Sequence, residues 1–172
     1  MNLRFQTKRL VVRDIEKGDL KSLLKICTEE KNMKYVSNGN HDWTLAQLSE
    51  KYEILNQNYI NGFGVFVIED KFTREIIGEA GLFKSYDSHS KLELGYIINF
   101  QHWKKGYGFE ICNGLINYGF RELKTKIITA RMYSENKASV RLSEKCGMHK
   151  INDGLTEKGE KFFEYEISNR IE

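Results

Sequence analysis

There is no proline in this chain of 172 residues, and only three cysteines. Without proline no rigid linker divides the sequence, and nothing else in it marks a second domain, so residues 1–172 read as one unit. Cys27, Cys112 and Cys146 are an odd, widely spaced set with no Cys-x-x-Cys pair, which argues against a disulfide framework or zinc site and for reduced, mostly packed thiols. Long apolar runs are missing as well. No segment approaches the roughly 20 apolar residues of a membrane span, and Met1 to Leu10 holds no signal-peptide core, so the expectation is a cytoplasmic protein with no membrane partner. Charge of one sign is equally scarce. The 27 Lys and Arg nearly balance the 24 Asp and Glu, leaving a net charge of +3, and no basic stripe interleaved with aromatics stands out, so no nucleic acid is expected. The four histidines, His41, His89, His102 and His149, fall in separate segments without ligand spacing, which gives no reason to expect a metal.

What is present is a regular alternation of strand-like and helix-like patterns. Leu10 to Arg13 reads as an opening strand, and Leu20, Leu23, Leu24 and Cys27 recur at helix spacing. Thr44 can cap a second helix carrying Leu48, Tyr52, Leu55 and Tyr59. Phe63 to Glu69 and Ile76 to Phe83 form a hairpin across the polar turn Asp70 to Arg74, and Lys91 to Ile98 is a third strand. A helix to about Phe120 and a strand over Lys126 to Met132 then imply a right-handed parallel crossover. Asn136 opens a short helix ended by Gly147, and Met148 to Ile151 with Phe162 to Ile167 look like a closing strand pair.

The stretch between the third strand and its helix, Asn99 to Glu110, reads as an anion cradle. Gly106 and Gly108 let successive N–H groups turn toward one point, the following helix adds its positive dipole end, and Lys104 and Lys105 add mobile charge. Its place at the carboxyl end of a strand is where open α/β sheets bind ligands. A dinucleotide fingerprint fails because Ile111 stands at its third glycine, and the Gly-Lys-Ser/Thr ending of a nucleotide P-loop is missing. Two glycines alone also fit an ordinary strand-to-helix turn.

The order of elements, together with Thr7-Lys8-Arg9-Leu10-Val11-Val12-Arg13, Trp103-Lys104-Lys105-Gly106-Tyr107-Gly108 and Asn136 to Met148, resembles the GCN5-related N-acetyltransferase (GNAT) family over nearly the whole chain. Trp103 stands where the broader family usually has Gln or Arg, which is similar to the branch of ribosomal-protein N-terminal acetyltransferases. The resemblance implies a mixed α/β fold, with a mostly antiparallel sheet, one splayed parallel pair and about four flanking helices. It implies acetyl-CoA as cosubstrate, an amine acceptor that is a peptide N-terminus or a small amine, no metal, and a homodimer among the assemblies it allows.

By the same resemblance, the diphosphate lies on Lys104, Lys105, Gly106, Tyr107, Gly108 and Phe109, and the pantetheine arm runs along Ile97, Ile98 and Asn99. Asn136 and Ser139 lie near that arm, although Asn136 is equally a helix cap. Strand parity sets Glu93 apart from Leu92 and Leu94, so it is either a base acting through water or a solvated strand carboxylate. Ser143 stands where many relatives have a tyrosine that protonates the leaving thiolate; it is open between that role and a plain polar helix position. Tyr133 is a lower-ranked substitute. A CoA-binding regulatory module that lost turnover is the competing reading.

Overall fold

Eight strands form one sheet in the computed structural model of the protein, which describes residues 2–85 and 88–169. In chain order they are β1 (Leu3–Gln6), β2 (Leu10–Asp14), β3 (Gly64–Asp70), β4 (Ile76–Ser85), β5 (Ser88–Ile98), β6 (Ile127–Tyr133), β7 (His149–Leu155) and β8 (Lys161–Ser168). They lie in the order β1-β2-β3-β4-β5-β6-β8-β7, and every neighbouring pair is antiparallel except β5 with β6. The α helices among the described residues are α1 (Leu20–Cys27), α2 (Glu30–Met33), α3 (Leu45–Leu55), α4 (Tyr107–Arg121) and α5 (Lys137–Lys145).

The mixed α/β expectation holds, with two additions. β1 carries only Leu3 and Phe5 as apolar residues, too few for an alternation to show, and it exists because the turn bond from Thr7 N–H to the Leu10 carbonyl (3.0 Å) folds it onto β2. α2 is a single turn and raises the expected four helices to five. Thr44 caps α3 as expected, its Oγ1 accepting from Gln47 N–H at 3.3 Å, but α3 stops at Leu55 and Tyr59 lies in the 3-10 turn that follows.

Strand alternation sorts the core into two layers. Val65, Val67 and Ile97 face Leu23, Met33, Leu48 and Tyr52 on one side. Phe66, Leu92, Leu94 and Ile98 face Ile111, Cys112 and Leu115 of α4 on the other. Between them the sheet opens. β5 and β6 pair only at Lys91/Ile127, Leu92/Ile128 and Glu93/Thr129, and beyond Glu93 the two strands diverge.

One buried polar network anchors the first half of the sheet. Arg13 of β2, 6% exposed, forks onto both Asp19 oxygens (2.7 and 2.9 Å) and reaches Glu69 at 3.2 Å. Removing the cation leaves buried Asp19 without one and Glu69 with only the exposed Arg74 at 2.9 Å, so Arg13→Met is expected to lower stability by about 3 to 5 kcal/mol. The midpoint of urea unfolding measures it; a shift worth under about 1 kcal/mol would show that solvent and Arg74 hold the two carboxylates without Arg13.

Candidate active site

At the carboxyl end of β5 one edge of the strand runs on past its last pairing with β6 at Glu93/Thr129. Asn99 N–H bonds to the Ile77 carbonyl of β4 at 2.8 Å. Because peptide groups alternate in direction along a strand, those of Ile97 and Gly95 also face β4, whereas those of Leu94, Tyr96 and Ile98 face the opening toward β6. The Ile98 carbonyl is taken by the Trp103 indole N–H at 2.7 Å. Its N–H, the Leu94 carbonyl and the peptide edge of Tyr96 lie past the last pairing with β6, at Glu93/Thr129, and point toward the gap where β6 has turned away.

Just past this edge the chain turns into α4. Lys104 and Gly106 have positive φ, 61° and 84°, and no side chain caps the helix. The N–H groups of Tyr107, Gly108 and Phe109 therefore lack intrahelical acceptors and converge at the positive end of the dipole. Lys104 and Lys105 are exposed beside them. Tyr107 and Phe109 send their side chains elsewhere: the Tyr107 hydroxyl donates to Asp70 at 2.8 Å, and the Phe109 ring lies 4.6 Å from the Lys145 ammonium. Gly108, unlike Gly106, lies inside α4 without a positive φ, and its role is packing, since a Cβ there would meet Leu142 Cδ1 at 2.7 Å. The cradle thus offers backbone donors and mobile lysines, which fits a diphosphate.

The opening between β5 and β6 is a cleft of about 370 Å³. It brings together five of the residues singled out from the sequence: Glu93, Ile97, Asn136, Ser139 and Ser143. Asn136 caps α5, its Oδ1 accepting from Ser139 N–H at 3.2 Å, so capping and cleft position coexist. Ser143 is 4% exposed, with Oγ 3.8 Å from Met132 Sδ. The Asn99 side chain is not on this wall; it turns back to accept from Gln101 N–H at 3.4 Å. Tyr133 donates to Asn38 at 3.0 Å, tying β6 to the loop before α3.

Two cleft residues escaped the sequence. Tyr96 donates to Ser139 Oγ at 3.4 Å, and burial raises its pKa, so the phenol keeps its proton. Strand parity, which places it with Leu92 and Leu94 on the side of α4 and α5, was the available signal. Glu79 of β4 is 6% exposed and is held by Lys51 at 3.0 Å and by the Tyr52 hydroxyl. Its partners come from α3, so nothing local to its strand announces it. Cys27 lies behind Glu79, and burial first, then that carboxylate, pushes its thiol up to about 12, which makes it a poor nucleophile at neutral pH. All three cysteines are free. Among the described residues no group of three or more His, Cys, Asp or Glu could hold a metal ion, and no helix is long and apolar enough to cross a membrane; the His89 side chain lies outside those described.

Residues 9–149 match the acetyltransferase (GNAT) domain family. Among known proteins the chain is 30% identical over 146 residues to the protein YkkB of Bacillus subtilis, covering 83% of each. It is 28% identical over 146 residues to the uncharacterized N-acetyltransferase YoaA of the same organism, covering 84% of this chain and 82% of that protein. Among solved structures it is similar to the spermidine N-acetyltransferase of Vibrio cholerae in complex with CoA and spermine. The TM-score is 0.80 at 25% identity, over 92% of this chain and 95% of that one.

Proposed function

The chain belongs to the GNAT acetyltransferase family and is an N-acetyltransferase, and we propose that it moves an acetyl group from acetyl-CoA to a primary amine by direct attack in a ternary complex, in the cytoplasm. The observation that carries this reading is the continuity of the open β5 edge with the uncapped start of α4. A pantetheine arm can add to the first as a strand would, while its diphosphate rests on the second.

In the reaction the neutral amine attacks the thioester carbonyl carbon, a C–N bond forms, and the carbonyl oxygen becomes an oxyanion. The Ile98 N–H, aimed into the gap, is placed to stabilise that charge. The C–S bond then breaks, the amide keeps the acetyl group, and CoA leaves as a thiolate that takes one proton. The amine loses its own proton through water to Glu93. Because an ordinary carboxylate is a far weaker base than an amine of pKa about 8 to 10, this transfer is uphill whether direct or through water, and water's part is to bridge the amine to Glu93 and carry the proton on to solvent.

The acceptor we favour is a small cationic amine. Glu93 lines the cleft, while Glu79 further along the same face is already met by Lys51 at 3.0 Å and adds no free charge; the Vibrio relative was solved with spermine. Trp103 favours a second reading, a ribosomal-protein N-terminus. Release of free CoA thiol in a panel of polyamines, other small amines and N-terminal peptides tests both; binding of CoA without release by any amine would instead favour a regulatory module. Glu93→Gln is expected to lower kcat by about tenfold at low pH while CoA affinity holds. The deficit should shrink as pH approaches the amine's pKa, because solvent then supplies the neutral nucleophile. A pH-independent rate equal to wild type would leave Glu93 a structural carboxylate.

A further inference from the structure

We propose that Arg9 is a positioning residue for the cofactor cradle, fixing the direction of its peptide groups; this rests on the reading of residues 104–109 as the acetyl-CoA loop. Arg9 lies in the turn between β1 and β2, far from the cradle in sequence. In space it touches the loop at three points. Its Nη1 donates to the Lys105 carbonyl at 2.9 Å, its guanidinium carbon stands 4.1 Å from the centre of the Tyr107 ring, and its Nε donates to Glu110 Oε2 at 2.7 Å. Glu110 Oε1 also accepts from Arg9 N–H and from the Thr7 hydroxyl, both at 2.6 Å.

The contact at Lys105 matters most. Its carbonyl and the N–H of Gly106 belong to one planar trans peptide, so they point in opposite directions. Holding the carbonyl toward Arg9 aims the Gly106 N–H away from the β1–β2 turn. Without that hold, the peptide before a glycine is free to flip, since glycine occupies both signs of φ at little cost. The softness that lets Gly106 adopt φ 84° would otherwise scatter the donors it is meant to align. A lysine at position 9 supplies charge but not a fork that grips a carboxylate and a carbonyl together.

Charge supports the same assignment. Glu110 sits in the first turn of α4, where an unpaired carboxylate would repel a diphosphate. Burial alone would raise its pKa, but hydrogen bonds from Thr7 and Arg9 and the Arg9 charge outweigh it and hold the carboxyl below its ordinary value. The group is therefore ionised at neutral pH, and Arg9 neutralises it.

Titration of wild type, Arg9→Lys and Glu110→Gln with CoA, alongside steady-state kinetics, tests the proposal. Arg9→Lys is expected to raise the Kd for CoA and the KM for acetyl-CoA by about tenfold, with kcat at saturation within about twofold and the acceptor KM unchanged. Amide exchange at Glu110, whose N–H is held by the Gly106 carbonyl at 3.2 Å, should quicken in the free protein while the sheet keeps its protection. Glu110→Gln, which keeps the shape, should give a smaller rise in the same constants. Wild-type affinity in Arg9→Lys would overturn the proposal, because charge alone would then suffice, and so would a loss of protection across the whole sheet, which marks a folding defect. Failure of the wild type to bind CoA would instead sink the reading of the loop itself.

Discussion

Valine in place of Gly106 is expected to weaken CoA binding by about a hundredfold or more, roughly 2.7 kcal/mol, in a protein that still folds. At φ 84° and ψ 0° the residue is in the left-handed region, where a β-branched side chain is strongly disfavoured. Space adds little to the problem, since a Cβ would stand 3.4 Å from an Arg9 nitrogen. The strain must be relieved by rotating φ to negative values, and that rotation carries the peptide planes on either side with it. The Gly106 and Tyr107 N–H groups then no longer point where the diphosphate needs them. Gly159, with φ 78° and no atom within 4 Å of an added Cβ, is a matched control in the turn between β7 and β8. Gly159→Val should incur similar backbone strain and leave CoA affinity unchanged. Equal CoA affinity in a folded Gly106→Val protein would remove the cradle from the binding site.

How much of this was legible in the sequence depends on how local each cause is. The β5–α4–β6 crossover was legible because each piece carries its own periodicity and the glycines and Asn136 punctuate the joints. The cap at Asn136 was legible for the same reason: the oxygen and the N–H it serves are three residues apart. β1 was not, because four residues with two apolar side chains form a strand only once β2 is beside them. Glu79 looked like one more polar position on a half-buried strand; only α3, arriving with Lys51 and Tyr52, makes it a buried and neutralised wall of the cleft. Gly108 read as a turn glycine in the sequence, but it lies inside α4 without a positive φ; its use is packing, against Leu142 on another helix, which no local pattern announces. The Arg9 clamp joins segments whose register no local pattern encodes.

Removal of the Ser143 hydroxyl is expected to reduce kcat by one to two powers of ten, about 1.4 to 2.7 kcal/mol of transition-state stabilisation. The KM for acetyl-CoA should stay nearly constant, because the proposed diphosphate and pantetheine contacts are to backbone groups that Ser143→Ala leaves alone. Ser143 is buried in the cleft wall beside Met132, and its neighbour Sδ is a weak acceptor, so the hydroxyl hydrogen is available to a developing thiolate. Serine does not ionise in the accessible range; its help is a hydrogen bond, with the proton itself drawn from water. Tyr96 is the rival donor. Burial raises its pKa, so it stays a phenol through neutral and moderately alkaline pH, and it lies one hydrogen bond from Ser139 on the same helix. The two roles separate by substitution. If Ser143 faces the sulfur, Ser143→Ala should lose more than Tyr96→Phe, and Ser143→Tyr should restore the rate and add an alkaline limb to the pH profile as the new phenol ionises. If Tyr96→Phe costs the larger factor and both Ser143 variants are inert, the proton reaches the thiolate from the strand side of the cleft, and α5 contributes only the wall.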